Sequence, residues 1–99
     1  MAEIRTVTAT TTESSVSFDC FYPYVWIRNL GENDVYAANY SGIVAGAVDV
    51  SLIKSGEVGM VQTQTDTIYV KATGTTTLEC RAQGYAECPF KRAVKGGRW

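Results

Sequence analysis

The sequence predicts an all-β fold: a small antiparallel β-sandwich or barrel with an extended N-terminal arm and a C-terminal tail. Three observations predict it. Strand-like segments recur about every 8–12 residues, with Gly, Asn or Asp between them. Inside them apolar and polar residues alternate with period two, most clearly where Ile68, Val70 and Ala72 oppose Tyr69 and Lys71. No window carries apolar residues at the i, i+3, i+4, i+7 spacing of an amphipathic helix.

A chain of 99 residues suits one domain. Its 45% apolar content is enough for a modest core and too high for a disordered chain. The organisation expected is an arm or edge strand over 1–15, the β-domain over 16–83 and a tail over 84–99.

The opening is rich in Thr and Ser, with Ile4, Val7 and Val16 its only large aliphatics. It reads either as an edge strand of this domain or as an arm laid on a neighbouring subunit. Val16, Phe18 and Cys20 then share one face against Ser17 and Asp19. Pro23 marks a bend, since proline cannot donate inside a central strand. After it, Val25 and Ile27 take one face and Tyr24, Trp26 and Arg28 the other. In so small a chain the aromatic face is expected to form an exposed adhesive patch.

Residues 29–34 read as a turn, 35–38 as a short strand, and 39–47 as a loop. The Ala/Val-rich stretch 42–50 is the one place where a short helical turn fits. Val48, Val50 and Leu52 alternate with Asp49, Ser51 and Ile53, and Lys54-Ser55-Gly56-Glu57 turns the chain into a strand that starts near Val58. Thr73-Gly74-Thr75 turns it again, and Leu78, Cys80 and Ala82 face inward. The expected core is Val25, Ile27, Val35, Val50, Leu52, Val58, Met60, Ile68, Val70, Leu78 and Cys80. Beyond it, Lys91 to Trp99 is a basic tail with an aromatic end, either an arm that docks on an acidic surface or a solubilising extension.

Composition narrows the function. There is no histidine, so the usual general base is missing and neither a Ser-His-Asp nor a Cys-His arrangement can be built. The carboxylates fall mostly in predicted turns, where Asp and Glu are ordinary. Glu32-Asn33-Asp34 lacks the ligand spacing of a calcium loop. Cys20, Cys80 and Cys88 contain no Cys-x-x-Cys and read as three reduced thiols, with a Cys80–Cys88 bridge as the sharper alternative. No catalytic residue, metal or cofactor and no small-molecule substrate is therefore expected. A net charge of -1 gives no field for nucleic acid, and no apolar run is long enough to cross a membrane as a helix. The first residues lack the apolar core of a signal peptide, which points to a cytoplasmic origin.

Trp26-Ile27-Arg28-Asn29-Leu30-Gly31, Asp34-Val35-Tyr36-Ala37, Ile53-Lys54-Ser55-Gly56-Glu57 and Thr67 to Gly74 together form a pattern of strand and turn. Over Tyr24 to Arg81 it resembles the short β-rich virion modules of tailed bacteriophages, of the head decoration (cement) or head-fibre type. The resemblance implies a structural protein of the virion, assembled in the host cytoplasm, with the major capsid protein, other virion proteins or further copies of itself as partners. It carries over no site residues. From the residues themselves, Tyr22, Tyr24, Trp26, Phe90 and Trp99 are the expected partner-binding anchors, helped by strand addition from residues 3–12. A tail or fibre accessory role is the alternative within that class. A carbohydrate-binding module, with Trp26, Tyr36, Tyr40 or Tyr69 as a stacking platform, is the alternative outside it.

Overall fold

A computed structural model describes residues 2–63 and 66–84, and all of their regular structure is β. The strands are β1 (Ala2–Ala9), β2 (Ser14–Ser17), β3 (Tyr24–Asn29), β4 (Val35–Ala38), β5 (Ser51–Ile53), β6 (Val58–Gln62), β7 (Thr67–Ala72) and β8 (Thr76–Gln83). They form two four-stranded sheets in the orders β1-β8-β3-β6 and β2-β7-β4-β5, with every pairing antiparallel. Only β4 and β5 are successive strands that pair; the other connections cross from one sheet to the other. This is the wrapping of an eight-stranded jelly roll, a β-sandwich whose inner faces make one core.

The core follows the period-two pattern. Val25 and Ile27 of β3, Ile68, Val70 and Ala72 of β7, and Leu78, Cys80 and Ala82 of β8 are all buried. Val16 of β2 and Phe18, Cys20 and Tyr22 of the β2–β3 connection enter the same cluster. The Phe18 and Tyr22 rings meet edge to face, with centroids 6.2 Å apart.

Of the two readings of the N-terminal segment, the structure shows the edge strand: Ala2 pairs with Gln83 and Ala9 with Thr76. Other expectations are corrected. The inward phase of β5 and β6 is the reverse of the one expected. Ile53 and Val61 are buried, while Leu52, Val58 and Met60 are exposed and Val50 is half-buried. The cause is Gly59, whose inward slot has no room for a side chain: a Cβ there would lie 2.5 Å from Ile53 Cγ1. Ile53 fills the space that Gly59 leaves empty. Residues 42–50 form no helix; the Ala47 amide donates to Val44 O and the Val50 amide to Ala47 O, making two successive turns.

The cysteines also differ. Cys20 is disulfide-bonded, so the expectation of three reduced thiols fails there. Cys80 is a free thiol pointing into the core from the middle of β8, which excludes a Cys80–Cys88 bridge. Burial, with the nearby Glu79 carboxylate adding to it, pushes the Cys80 thiol up to about 12. Cys88 and the basic tail from Lys91 to Trp99 lie outside the described residues.

One buried amide ties an end of the sandwich together. Asn29 Nδ2 donates to Asn33 O at 2.6 Å and to Ile53 O at 3.1 Å. Its Oδ1 accepts from the Gly31 amide at 3.1 Å and from Thr76 Oγ1 at 2.8 Å. All four hydrogen-bonding positions of this amide are used, which is what makes its complete burial tolerable. Backbone bonds from Asn29 N to Glu57 O and from Gly56 N to Asn29 O clasp the 54–57 turn to the same point. Gly56 supplies the φ of 80° which that turn needs.

Candidate functional site

β3 runs between β8 and β6, so its outward residues sit in the middle of a sheet face. The alternation that buries Val25, Ile27 and Asn29 turns Tyr24, Trp26 and Arg28 to solvent. The register then decides what lies beside them. Trp26 stands between Arg81 of β8 and Met60 of β6, and Arg81 in turn stands beside Ile4 of β1. One row across the sheet therefore reads Ile4, Arg81, Trp26, Met60. The row on one side reads Ala2, Gln83, Tyr24, Gln62, and that on the other reads Thr6, Glu79, Arg28, Val58.

Five large apolar side chains share this face: Ile4, Tyr24, Trp26, Val58 and Met60, between 38% and 54% exposed. Most sit next to a polar neighbour in the register. A groove of about 270 Å³ opens beside the indole, lined by Trp26, Arg28, Val58, Glu79, Arg81 and Gln83. Arg81 Nη2 approaches Glu79 Oε1 only to 3.9 Å, a loose and exposed pair. Among the described residues the one cation stacked on a ring is Arg5, 5.4 Å from the Phe18 centroid, so no arginine covers the face of Trp26.

The expected anchors do not all assemble here. Tyr24 and Trp26 are neighbours on the exposed face, as their positions on β3 predict. Tyr22 is not an anchor: it is 2% exposed and lies in the core. Its hydroxyl donates to Glu3 Oε2 at 2.7 Å. Burial and the adjoining Glu3 carboxylate push that phenol up to about 12. Phe90 and Trp99 lie outside the described residues. The four candidate stacking residues do not share one face, and Trp26 is the one on this sheet. Tyr36 and Tyr69 are half-buried on the opposite sheet, and the Tyr40 hydroxyl donates to Asp49 Oδ1 at 2.7 Å. Ile4, Val58 and Met60 are the face residues that sequence reasoning missed; the signal for the last two was Gly59, which sets the phase of β6.

A second feature is structural. Glu13, between β1 and β2, receives the Ile43 amide at 2.7 Å and the Gly42 amide at 3.0 Å. These bonds from Ile43 and Gly42 hold its carboxyl below the ordinary glutamate range. It moors the long 39–50 loop.

No family model and no curated protein matches the chain. Among solved structures it is similar to Streptomyces albus HEPD, described with its substrate 2-hydroxyethylphosphonate and Fe(II) bound, at 14% identity and a TM-score of 0.53. The match covers 97% of this chain and 21% of that one, so the chain spans about a fifth of the enzyme's length. A Bacillus endospore appendage, from a family described as disulfide-linked pili, aligns over 86% of this chain and 87% of its own at 20% identity and a TM-score of 0.44. The first likeness supports the fold alone. The residues present do not fit an Fe(II) site: the chain has no histidine, and no three Asp, Glu or Cys side chains cluster among the described residues. The space between the sheets is filled by apolar side chains instead.

Proposed function

We propose that this chain is a non-enzymatic structural protein of a phage virion, a capsid decoration protein that docks on the shell through the outer face of the β1-β8-β3-β6 sheet. The observation that carries the docking reading is the row of Trp26 and Met60 with Tyr24 beside it, half-exposed on a sheet whose other face is the core. A rigid backbone presents these side chains with little ordering cost, and large side chains of this kind, tryptophan above all, dominate the energetics of protein contacts. The virion itself is supported by the strand-and-turn resemblance of Tyr24 to Arg81. Many copies on a repetitive shell would sum modest contacts by multivalency. The test is to purify tailed-phage particles from the source culture and probe them with an antibody against the chain. A fixed ratio to the major shell protein supports decoration, a ratio of a few copies per particle moves the chain to the tail or fibre, and absence from the particles refutes the virion reading.

One observation favours a second reading. The half-exposed indole of Trp26 borders a groove whose other walls are mostly polar, which suits a sugar ring stacked on the aromatic face with hydroxyls held by Glu79, Arg81 and Gln83. A glycan array read with wild type and with Trp26→Ala separates the two: hits that vanish in the variant support a carbohydrate-binding module, and no hits remove it.

A further inference from the structure

We propose that the free edge of β1 pairs antiparallel with β1 of a second copy, about a two-fold axis through Ile4, joining two four-stranded sheets into one of eight strands. This goes beyond the docking of the outer face and does not depend on what that face binds.

The edges of the sandwich are not equivalent. β5 has three residues and β2 four, too short to template much. At β6 the carbonyls of Met60 and Gln62 already accept side-chain hydrogen bonds, from Ser51 Oγ at 3.1 Å and Asn39 Nδ2 at 2.8 Å. β1 has eight residues without proline or glycine, and among the described residues it pairs on one side only, with β8. Among the described residues, no backbone–backbone hydrogen bond other than those to β8 engages Ala2–Ala9, and the one side-chain bond to a β1 carbonyl, from Arg5 Nη1 to Ile4 O, is long and exposed at 3.3 Å, so an incoming strand can displace it. A long open edge of this kind is a template for another strand.

Charge selects the occupant and the register. Glu3 and Arg5 point to the inner side of β1 and pair with each other at 2.8 Å, their side chains 13% and 34% exposed. Inward charges at an edge ordinarily deter strand addition, because most incoming strands would bury them against apolar residues. A second β1 centred on Ile4 does not. It sets Glu3 opposite Arg5 of the second copy and Arg5 opposite its Glu3, closing a ring of alternating charge, while Ile4 meets Ile4 and Ala2 meets Thr6. Moving the axis to residue 5 sets two arginines face to face, a repulsive cross-strand pair. Moving it to residue 6 sets Arg5 against Val7 and Glu3 against Ala9, leaving both charges opposite apolar side chains. Half-step registers turn one copy's inner face outward. In the chosen register the outward row Ile4, Arg81, Trp26, Met60 continues through the axis into the same row of the second copy, so the two apolar faces become one.

Cysteine scanning tests the axis. Identical residues facing each other on an antiparallel two-fold have Cα atoms about 4.5–5.5 Å apart, inside disulfide range. Ile4→Cys, Thr6→Cys and Thr8→Cys, all at exposed outer positions, are oxidised in the full chain, and bridges are mapped by mass spectrometry. The expected result is a residue 4–residue 4 intermolecular bridge with no self-bridge at 6 or 8. A self-bridge at 6 with none at 4 overturns the register, and no self-bridge at any site overturns the dimer. Light scattering on the unmodified chain should give twice the chain mass, reduced to the monomer by Ile4→Lys with unchanged circular dichroism. A wild-type monomer across the micromolar range contradicts the proposal, as does an unaltered dimer in Ile4→Lys.

Discussion

The Tyr22 hydroxyl donates a 2.7 Å hydrogen bond to Glu3 Oε2, joining the core of the sandwich to its edge strand. The other carboxylate oxygen accepts from the Asp19 amide and from Arg5, both at 2.8 Å. Burial works to raise the Glu3 carboxyl, but the bonds from Asp19, Tyr22 and Arg5 together outweigh it and hold the group below its usual range. A carboxyl held down in the fold stabilises it above the unfolded pKa, and that contribution is lost as pH falls through the folded value. Stability should therefore decline below pH 4.5, the ordinary value. Glu3→Gln should cost about 1–2 kcal/mol at neutral pH and flatten this acid limb, as read by urea titrations from pH 3 to pH 7. An acid limb of undiminished slope in the variant would show that other carboxylates set it.

At the alkaline end the sign reverses. Cys80 and Tyr22 are both pushed up to about 12, so each stabilises the fold while it is neutral. Unfolding becomes easier once pH passes the unfolded values of 9.0 for the thiol and 10.0 for the phenol. Melting temperature should be level just below pH 9 and fall from there to pH 12. Cys80→Ala should remove the earlier part of the fall and Tyr22→Phe the later part. A melting temperature that holds level to pH 12 would contradict this.

Asn29 is the most demanding polar residue of the interior. Asn29→Ala removes both donors from the carbonyls of Asn33 and Ile53 and the acceptor from the Gly31 amide and Thr76. The expected loss is about 2–4 kcal/mol in chemical denaturation, since several buried groups lose partners at once. Thr76→Ser keeps the hydroxyl and should cost much less.

Glu13 should act on the loop and little on the core. With Glu13→Ala the Gly42 and Ile43 amides lose their acceptor, so their hydrogen exchange should accelerate while amides of β3 and β8 keep their protection. Unchanged exchange at Gly42 and Ile43 would mean that the carboxylate does not hold the loop in solution.

How far the fold could be read in advance depended on whether a strand's inner face is written in side chains. In β3, β7 and β8 the buried positions are almost all apolar and the opposite ones polar or aromatic, so phase and core were legible. β6 has Gly59 in an inward slot, and the eye then takes Val58 and Met60 for the core. The deciding contact is with Ile53, which lies on the other sheet. β1 turns Glu3 and Arg5 inward at the rim, so its parity is masked by charges whose partners, Tyr22 and Asp19, are far along the chain. Tyr22 looked like an anchor for the same reason: its burial depends on a carboxylate 19 residues away in sequence. The exposed pair Tyr24 and Trp26 was legible because it follows from the alternation of one strand alone.

The most direct test of the docking face is co-sedimentation of the chain with purified particles, comparing wild type with Trp26→Ala and Met60→Ala. Both side chains lie on the outer face, so the variants should melt within about 1 kcal/mol of wild type. Docking through this face predicts saturable binding of wild type and a loss of at least about tenfold in affinity for Trp26→Ala, the size expected of a central aromatic. Wild-type affinity in both folded variants, or no binding by wild type, would contradict it.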